Sequence, residues 1–347
     1  TIEDLWKDSI LLEQQEDECW AKLSKPITVQ TFDGQKIITK KVGKVFRQKI
    51  DEDIVKITLD DGSVLECTRR HRFLTPDGWM MANNLNADDR VAVPSSTLHE
   101  SKNDLDADLA ELMAWQLAEG YEYFENNKYA HGRFYNSDQD ILKRVRELAK
   151  KFGINLPDPK KTNSSYVIAT TGLYSLFSKL GYTWGKKSAE KIIPTCIMES
   201  SLATQKAFDQ AIFDAEGYIG KTHCEFSTAS KSIAYGIHNI LRHFGIWLRI
   251  HIAMKSATNG TKIKRPYFIC TFGGNSVDKF ATQFKLQMRQ KRQALELLAK
   301  KHHNTNIEGI PSQKIVQQIA DKGISLRSLN LSTPYKYTQG MSKNLAY

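Results

Sequence analysis

Two glutamates carry the first suggestion of chemistry. Glu119 closes the stretch Ala110-Glu-Leu-Met-Ala-Trp-Gln-Leu-Ala-Glu-Gly120, and Glu216 closes Ala207-Phe-Asp-Gln-Ala-Ile-Phe-Asp-Ala-Glu-Gly217. Brought together, two carboxylates repel, and at helix C-termini each also sits at the negative end of a dipole. A divalent cation such as Mg2+ or Mn2+ resolves that conflict, because hard cations take carboxylate oxygens. The elements that must position the pair are the stretches themselves. Ala110, Ala114 and Ala118, like Ala207, Ala211 and Ala215, recur every four residues and so share one helical face. Small side chains there let two backbones approach closely, and the glycine after each glutamate suits a helix C-cap. Packed side by side and parallel, the helices bring Glu119 and Glu216 to one end. The bland alternative is two ordinary amphipathic helices with terminal glutamates.

The chain has 347 residues, which suggests two or three domains. Its 49 Lys and Arg against 39 Asp and Glu leave a net charge of +10, which fits a nucleic-acid partner. Five cysteines, an odd number without CxxC pairing, argue against a disulfide framework or a zinc site and favour a reducing, intracellular (cytoplasmic) setting. No apolar run approaches the roughly 18 residues of a membrane span. The acidic start, Thr1-Ile-Glu-Asp-Leu-Trp6, does not read as a signal peptide.

Taken in order, residues 1–26 are mixed, with Glu13 to Glu18 reading as an exposed helix or loop. Short β-branched runs follow at Ile27–Phe32, Lys36–Val42, Ile54–Leu59 and Val64–Thr68, separated by Asp33-Gly34 and Asp61-Gly62 turns. They predict a compact all-β module reaching about Pro94. Inside it, Leu65-Glu-Cys-Thr-Arg-Arg-His-Arg-Phe-Leu-Thr-Pro-Asp-Gly-Trp79 resembles the intein block built on a Thr-x-x-His pair, here Thr68 and His71, and Asp89-Arg-Val-Ala-Val93 resembles that family's next strand. The resemblance implies that His71, supported by Thr68, polarises the peptide bond at the upstream splice junction. It also implies a terminal Cys or Ser nucleophile and a closing His-Asn pair. Cys19 and His303-Asn304 do not match those blocks in context, so the chain as it stands is expected not to splice.

The middle reads as an internal repeat. Phe134 and Phe226 are 92 residues apart, as are Phe152 and Phe244; Tyr166 and Tyr267 are 101 apart, as are Gly172 and Gly273. Each half reads helix, two strands, helix, two strands, helix. Leu142, Val145, Leu148 and Ala149 give one helix an apolar face, and Ile237, Ile240, Leu241 and Phe244 do so in the second copy. Residues 105–298 thus resemble the LAGLIDADG homing endonucleases, with the motif copies ending at Glu119 and Glu216. The resemblance implies that these two residues bind the catalytic metal, whereas Asp214, two residues earlier, points elsewhere. It implies a basic residue beside each half-site: Lys191, in Lys191-Ile-Ile-Pro194, and Lys291 in the second half. Two half-sites, one per DNA strand, would give a double-strand break.

Arg133, Tyr135, Lys221, His223 and Glu225 alternate along predicted strands that would face bases in the major groove. Lys262, Lys264 and Arg265 lie in a basic hairpin tip suited to phosphates. The sequence reading is therefore an α+β chain: a partial, β-rich Hint (splicing) domain at 1–95, a pseudo-twofold LAGLIDADG αββαββα repeat at 96–298, and a helical segment at 299–347, including Ile315–Ala320, that could bind DNA. Its expected partner is a long asymmetric site on double-stranded DNA, met by a monomer. The alternative is a non-cleaving nucleic-acid binder, either a decayed endonuclease or a maturase. A third reading is a splicing-competent intein whose ends lie outside this sequence.

Overall fold

The structure is a computed structural model that describes residues 2–15, 18–87, 89–255, 263–301, 309–310, 321–324 and 341–342. It divides into two compact units, Thr1–Thr58 with Val64–Pro94, and Leu59–Ser63 with Ser95–Tyr347.

The first unit opens with a short helix, α1 (Ile2–Lys7), and is otherwise built from strands: β1 (Ser9–Gln15), β2 (Glu18–Leu23), β3 (Thr28–Phe32), β4 (Ile37–Lys41), β5 (Val45–Gln48), β6 (Ile54–Thr58), β7 (Val64–Thr68), β8 (Arg72–Thr75) and β9 (Gly78–Met81). β1, β2 and β5 form one antiparallel sheet, and β3–β4, β6–β7 and β8–β9 are two-stranded. The acidic stretch read as helix or loop is instead the β1–β2 hairpin, with Gln15 opposite Glu18. Its turn residues are polar, but Ile10, Leu11 and Trp20 give the flanking runs β-forming side chains. The Asp33-Gly34 turn is held by its own aspartate, which accepts from the backbone N–H of Gln35 and Lys36. Few side chains in this unit are fully buried, among them Ala21 and Ala82.

The large core belongs to the second unit. Its elements are α2 (Ala107–Glu119), β10 (Gly120–Glu125), β11 (Tyr129–Asn136), α3 (Gln139–Lys151), β12 (Lys160–Lys161), β13 (Tyr166–Ala169), α4 (Tyr174–Lys179), α5 (Thr195–Met198), α6 (Leu202–Glu216), β14 (Tyr218–Ile219), β15 (His223–Thr228), α7 (Lys231–His243), β16 (Arg249–Lys255), β17 (Arg265–Gly273), α8 (Asn275–Gln283) and α9 (Arg289–Ala299). Two antiparallel four-stranded sheets result, in the orders β10-β11-β13-β12 and β14-β15-β17-β16. Each half places its inner hairpin beside the motif helix and returns through a helix whose apolar face is buried: Leu142, Val145, Leu148 and Ala149 on α3, and Ile237, Ile240 and Leu241 on α7.

Side-chain caps start the main helices where the sequence supplies them. Asp106 accepts from Asp108 N, Asp138 from Asp140 N and Ile141 N, Ser201 from Thr204 N, and Ser230 from Ile233 N. Aromatic rings fasten sheets to motif helices. Trp115 of α2 meets Phe134 of β11 edge-on at 6.4 Å, and Phe213 of α6 meets Phe226, Phe272 and Phe280 at 5.4, 5.6 and 4.8 Å. Of residues 299–347, the described part includes a two-residue strand pair, β18 (Gly309–Ile310) with β19 (Met341–Ser342), where helix was expected. The expected helix Ile315–Ala320 lies outside the described residues.

Candidate metal centre and DNA-facing sheets

α2 and α6 pack directly on one another. Ala110, Ala114 and Ala211 are wholly buried, so the small-residue stripes do bring the backbones together. α2 is buried along its length from Leu109 to Leu117 and forms the centre of the unit. The glycines that follow the glutamates are C-caps, but not left-handed ones: Gly120 has φ −82° and Gly217 φ −73°. Glycine is needed for close approach instead. A Cβ on Gly120 would stand 2.1 Å from the Gln116 carbonyl oxygen, and one on Gly217 would stand 2.4 Å from that of Phe213.

Glu119 and Glu216, the last residues of the two packed helices, lie within electrostatic reach of one another. Burial lifts the Glu119 carboxyl to about 7, and repulsion from Glu216 adds to that, against the pull of Lys291 and Lys191. Glu216 keeps an exposed face, yet the protein crowded around its carboxyl raises its pKa too, again opposed by both lysines. Four groups placed by sequence alone therefore converge at one helix-pair terminus.

Each lysine caps one motif helix. Lys191 Nζ donates to the carbonyls of Leu117 at 2.5 Å and Gly120 at 3.3 Å. Lys291 Nζ donates to Phe213, Asp214 and Ala215 at 3.2, 2.5 and 3.2 Å. Helix-terminal carbonyls lack partners within the helix, and a cation there also meets the dipole's negative end. Burial lowers the pKa of both lysines.

Two carboxylates near these lysines had no assigned role in the sequence. Glu122 is buried and accepts from Gln116 Nε2 (2.9 Å), Tyr182 Oη (2.8 Å) and Gly185 N (3.1 Å), and its charge helps Lys191 keep its proton. Its partners lie up to 63 residues away, beyond local pattern. Asp214 does point away from the glutamates: it accepts from Gln287 N at 2.8 Å and Met288 N at 2.9 Å, at the start of α9. Burial lifts its carboxyl to about 6.

The sheets expose one face each. On β11, Arg133 and Tyr135 point outward while Gly132, Phe134 and Asn136 are buried. Register adds Tyr121, Tyr123 and His131 to that face, none named from the sequence. On β15, His223 and Glu225 alternate with buried Cys224 and Phe226, and register adds Arg249, His251 and Lys255 from β16. Lys221 is not on a strand; it sits exposed in the turn before β15. Lys264 and Arg265 are exposed at the start of β17, and Lys262 lies outside the described residues, as do His303 and Asn304. In the first unit, Thr68 ends β7 and its carbonyl accepts from His71 N at 3.1 Å, which sets the two residues on one turn, with His71 exposed.

A family model for the intein splicing domain matches residues 2–335. The chain belongs to the intein splicing domain family. Curated relatives of this intein carry differing names. The replication factor C small subunit of Methanocaldococcus jannaschii is 28% identical over 284 residues, covering 78% of the intein chain and 15% of that protein. The replicative DNA helicase DnaB of Synechocystis is 25% identical over 350 residues, covering 92% and 38%. The protein RecA of Mycobacterium tuberculosis is 25% identical over 209 residues, covering 56% and 26%. The chain thus spans well under half the length of these relatives. Among solved structures, the homing endonuclease I-DmoI in complex with DNA and Ca is similar at 14% identity and a TM-score of 0.40, covering 55% of this chain and 97% of that one. Full-length DUF199/WhiA is similar at 12% identity and a TM-score of 0.35, covering 65% and 68%. Among the described residues, no helix is long and apolar enough to cross a membrane.

Proposed function

We propose that the second unit of this intein is a LAGLIDADG homing endonuclease that cuts both strands of a long, asymmetric double-stranded DNA site with the help of Mg2+ or Mn2+. The observation that carries the reading is the convergence of Glu119, Glu216, Lys191 and Lys291 at the C-terminal ends of two close-packed helices. The donor set suits a hard divalent cation. Both carboxylates are raised in pKa by their surroundings, so the folded chain carries an unfavourable charge that a cation would relieve. Among the described residues no group of three or more His, Cys, Asp or Glu side chains converges, so the two glutamates would share a cation with water and phosphate oxygens. A bound cation supplies a polarised water and neutralises charge on the scissile phosphate.

The chain's own contribution is positioning. Glu119 and Glu216 hold the phosphate-side charge at one point. Lys191 and Lys291, partly stripped of water, would stabilise in their protonated form the charge that develops on phosphate oxygens. The outward faces with Arg133, Tyr135, His223, Lys264 and Arg265 would lie against the grooves and backbone, and Lys221 at its turn would meet phosphate. That the chain matches small fractions of differently named proteins supports an inserted element, and Thr68 with His71 would serve the splicing chemistry of the first unit.

The test is cleavage of duplexes selected from a randomised library by the wild-type chain with Mg2+. Linear product that disappears in both Glu119→Gln and Glu216→Gln supports the reading. Tight DNA binding by the wild type without any cut overturns it in favour of a non-cleaving binder.

A further inference from the structure

The two lysines reach equivalent places by different supports. Lys191 lies in a loop whose backbone is tied to α7: Ser230 Oγ donates to the Lys191 carbonyl at 2.6 Å. Lys291 arrives on α9, and the segment leading into α9 is laid along α6. Gln210 Oε1 accepts from Lys285 N at 3.0 Å. One helical turn further, the Asp214 carboxylate takes Gln287 N and Met288 N, one on each oxygen. Leu286, between these points, and Phe284, just before them, are buried. The Gln287 side chain then donates to Glu111 Oε1 of α2 at 2.7 Å. Glu111 is fixed in turn by Arg144 of α3, through Nε at 3.0 Å and Nη2 at 2.7 Å. The entry to α9 is thus pinned to both motif helices, with α6 supplying the carboxylate.

Asp214 is aimed at backbone amides rather than at the glutamates, and its counterpart in the first motif is Leu117, which can offer no such cap. A carboxylate accepting two amides at a helix start is a strong, geometrically demanding contact. The first motif fills the same place with the buried apolar side chain of Leu117, so the repeat as such does not require a carboxylate there.

We infer that Asp214 is a positioning residue for Lys291 alone, so that its loss impairs cutting of one DNA strand and spares the other. This rests on the endonuclease reading above. Misplacement of a charge-stabilising group by about 1 Å costs roughly 100-fold in rate. Without Asp214 the start of α9 loses both amide acceptors, and Lys291 leaves its station over the α6 carbonyls. Lys191, held through Ser230, keeps its place.

The experiment uses a supercoiled plasmid carrying a duplex selected by the wild-type chain and, in parallel, a linear duplex of the same site end-labelled on one strand or the other. Asp214→Leu imposes the first motif's residue, and Asp214→Asn keeps one acceptor in the same volume. Both are checked for an unchanged circular dichroism spectrum before assay. The expected result is nicked circle in place of linear product. The strand left uncut should be the same in Asp214→Leu and in Lys291→Met, slowed about 100-fold, and the opposite one in Lys191→Met. Asp214→Asn should show the same strand bias to a smaller degree. A purely structural role would slow both strands together, and parallel slowing with wild-type strand ratio overturns the inference while leaving the endonuclease standing. A wild type that cuts no duplex overturns both.

Discussion

At the residue scale, Glu119 is the informative group. Its carboxyl sits at about 7 where 4.5 is ordinary, so between those values the folded chain holds a proton that the unfolded chain has released. Stability from this group is therefore lost as pH rises from about 4.5 to about 7, and stays lost above. Without divalent cation, wild type should melt at a lower temperature than Glu119→Gln at pH 8, and the gap should close near pH 5. A thermal melt series across that range checks it; a gap that stays constant with pH would show that Glu216 and burial do not tax Glu119. Adding millimolar Mg2+ at pH 8 should raise the wild-type melting temperature and leave Glu119→Gln almost unmoved, because a cation binding only the folded state stabilises it by mass action. Chelation by EDTA should abolish cleavage and leave DNA binding measurable.

At the scale of elements, the proposed cleavage depends on how closely α2 and α6 approach. Ala114 and Ala211 are wholly buried, so Ala114→Leu forces extra methylenes into a packed seam at a cost of about 1–3 kcal/mol. Because the glutamates close that seam, cleavage should fall further than DNA binding, measured as kcat against Kd on one duplex. By contrast Phe213→Ala, which empties a site lined by three rings, should destabilise the fold by about 3–5 kcal/mol in urea unfolding. These helices were legible because alanine spacing, glutamate and glycine all lie within one local pattern, whereas Lys191 and Lys291 were expected only from a family resemblance, Lys191 from the Ile-Ile-Pro that follows it and Lys291 from the matching place in the second half. The reason for the glycines was not legible: a close carbonyl, not a left-handed φ, demands them. Glu122 and Asp214 were missed as supports because their partners, Tyr182 and Gln287, are 60 and 73 residues distant. The β1–β2 hairpin was missed because its turn is acidic and polar, which a loop shares.

At the scale of the whole second unit, the outward faces of the two sheets, proposed above to meet DNA, differ in chemistry. The outward face of the first carries Tyr121, Tyr123 and Tyr135 around Arg133 and His131. That of the second carries Arg249, His251, Lys255 and Arg265 around Glu225. Composition already leans that way, since residues 105–195 carry 13 Lys and Arg against 11 Asp and Glu and residues 196–298 carry 14 against 7, and strand register then sets which of them share the outward face. Tyrosines give neutral hydrogen bonds and surface contact, whereas cations displace counterions from phosphates, and only the second effect depends steeply on salt. Glu225 lies 3.9 Å from Lys255 and so tempers that lysine's charge, leaving Arg265 the better probe. Arg265→Ala should lower the slope of log K against log salt by about 1, and Tyr121→Phe should weaken binding by about 0.5–1.5 kcal/mol with the slope unchanged. Fluorescence anisotropy on one selected duplex from 50 to 300 mM salt, in Ca2+ to prevent cutting, separates the two. Equal slope changes in both variants would mean that phosphate contact is shared evenly between the sheets, and that the target's two halves are held by the same chemistry.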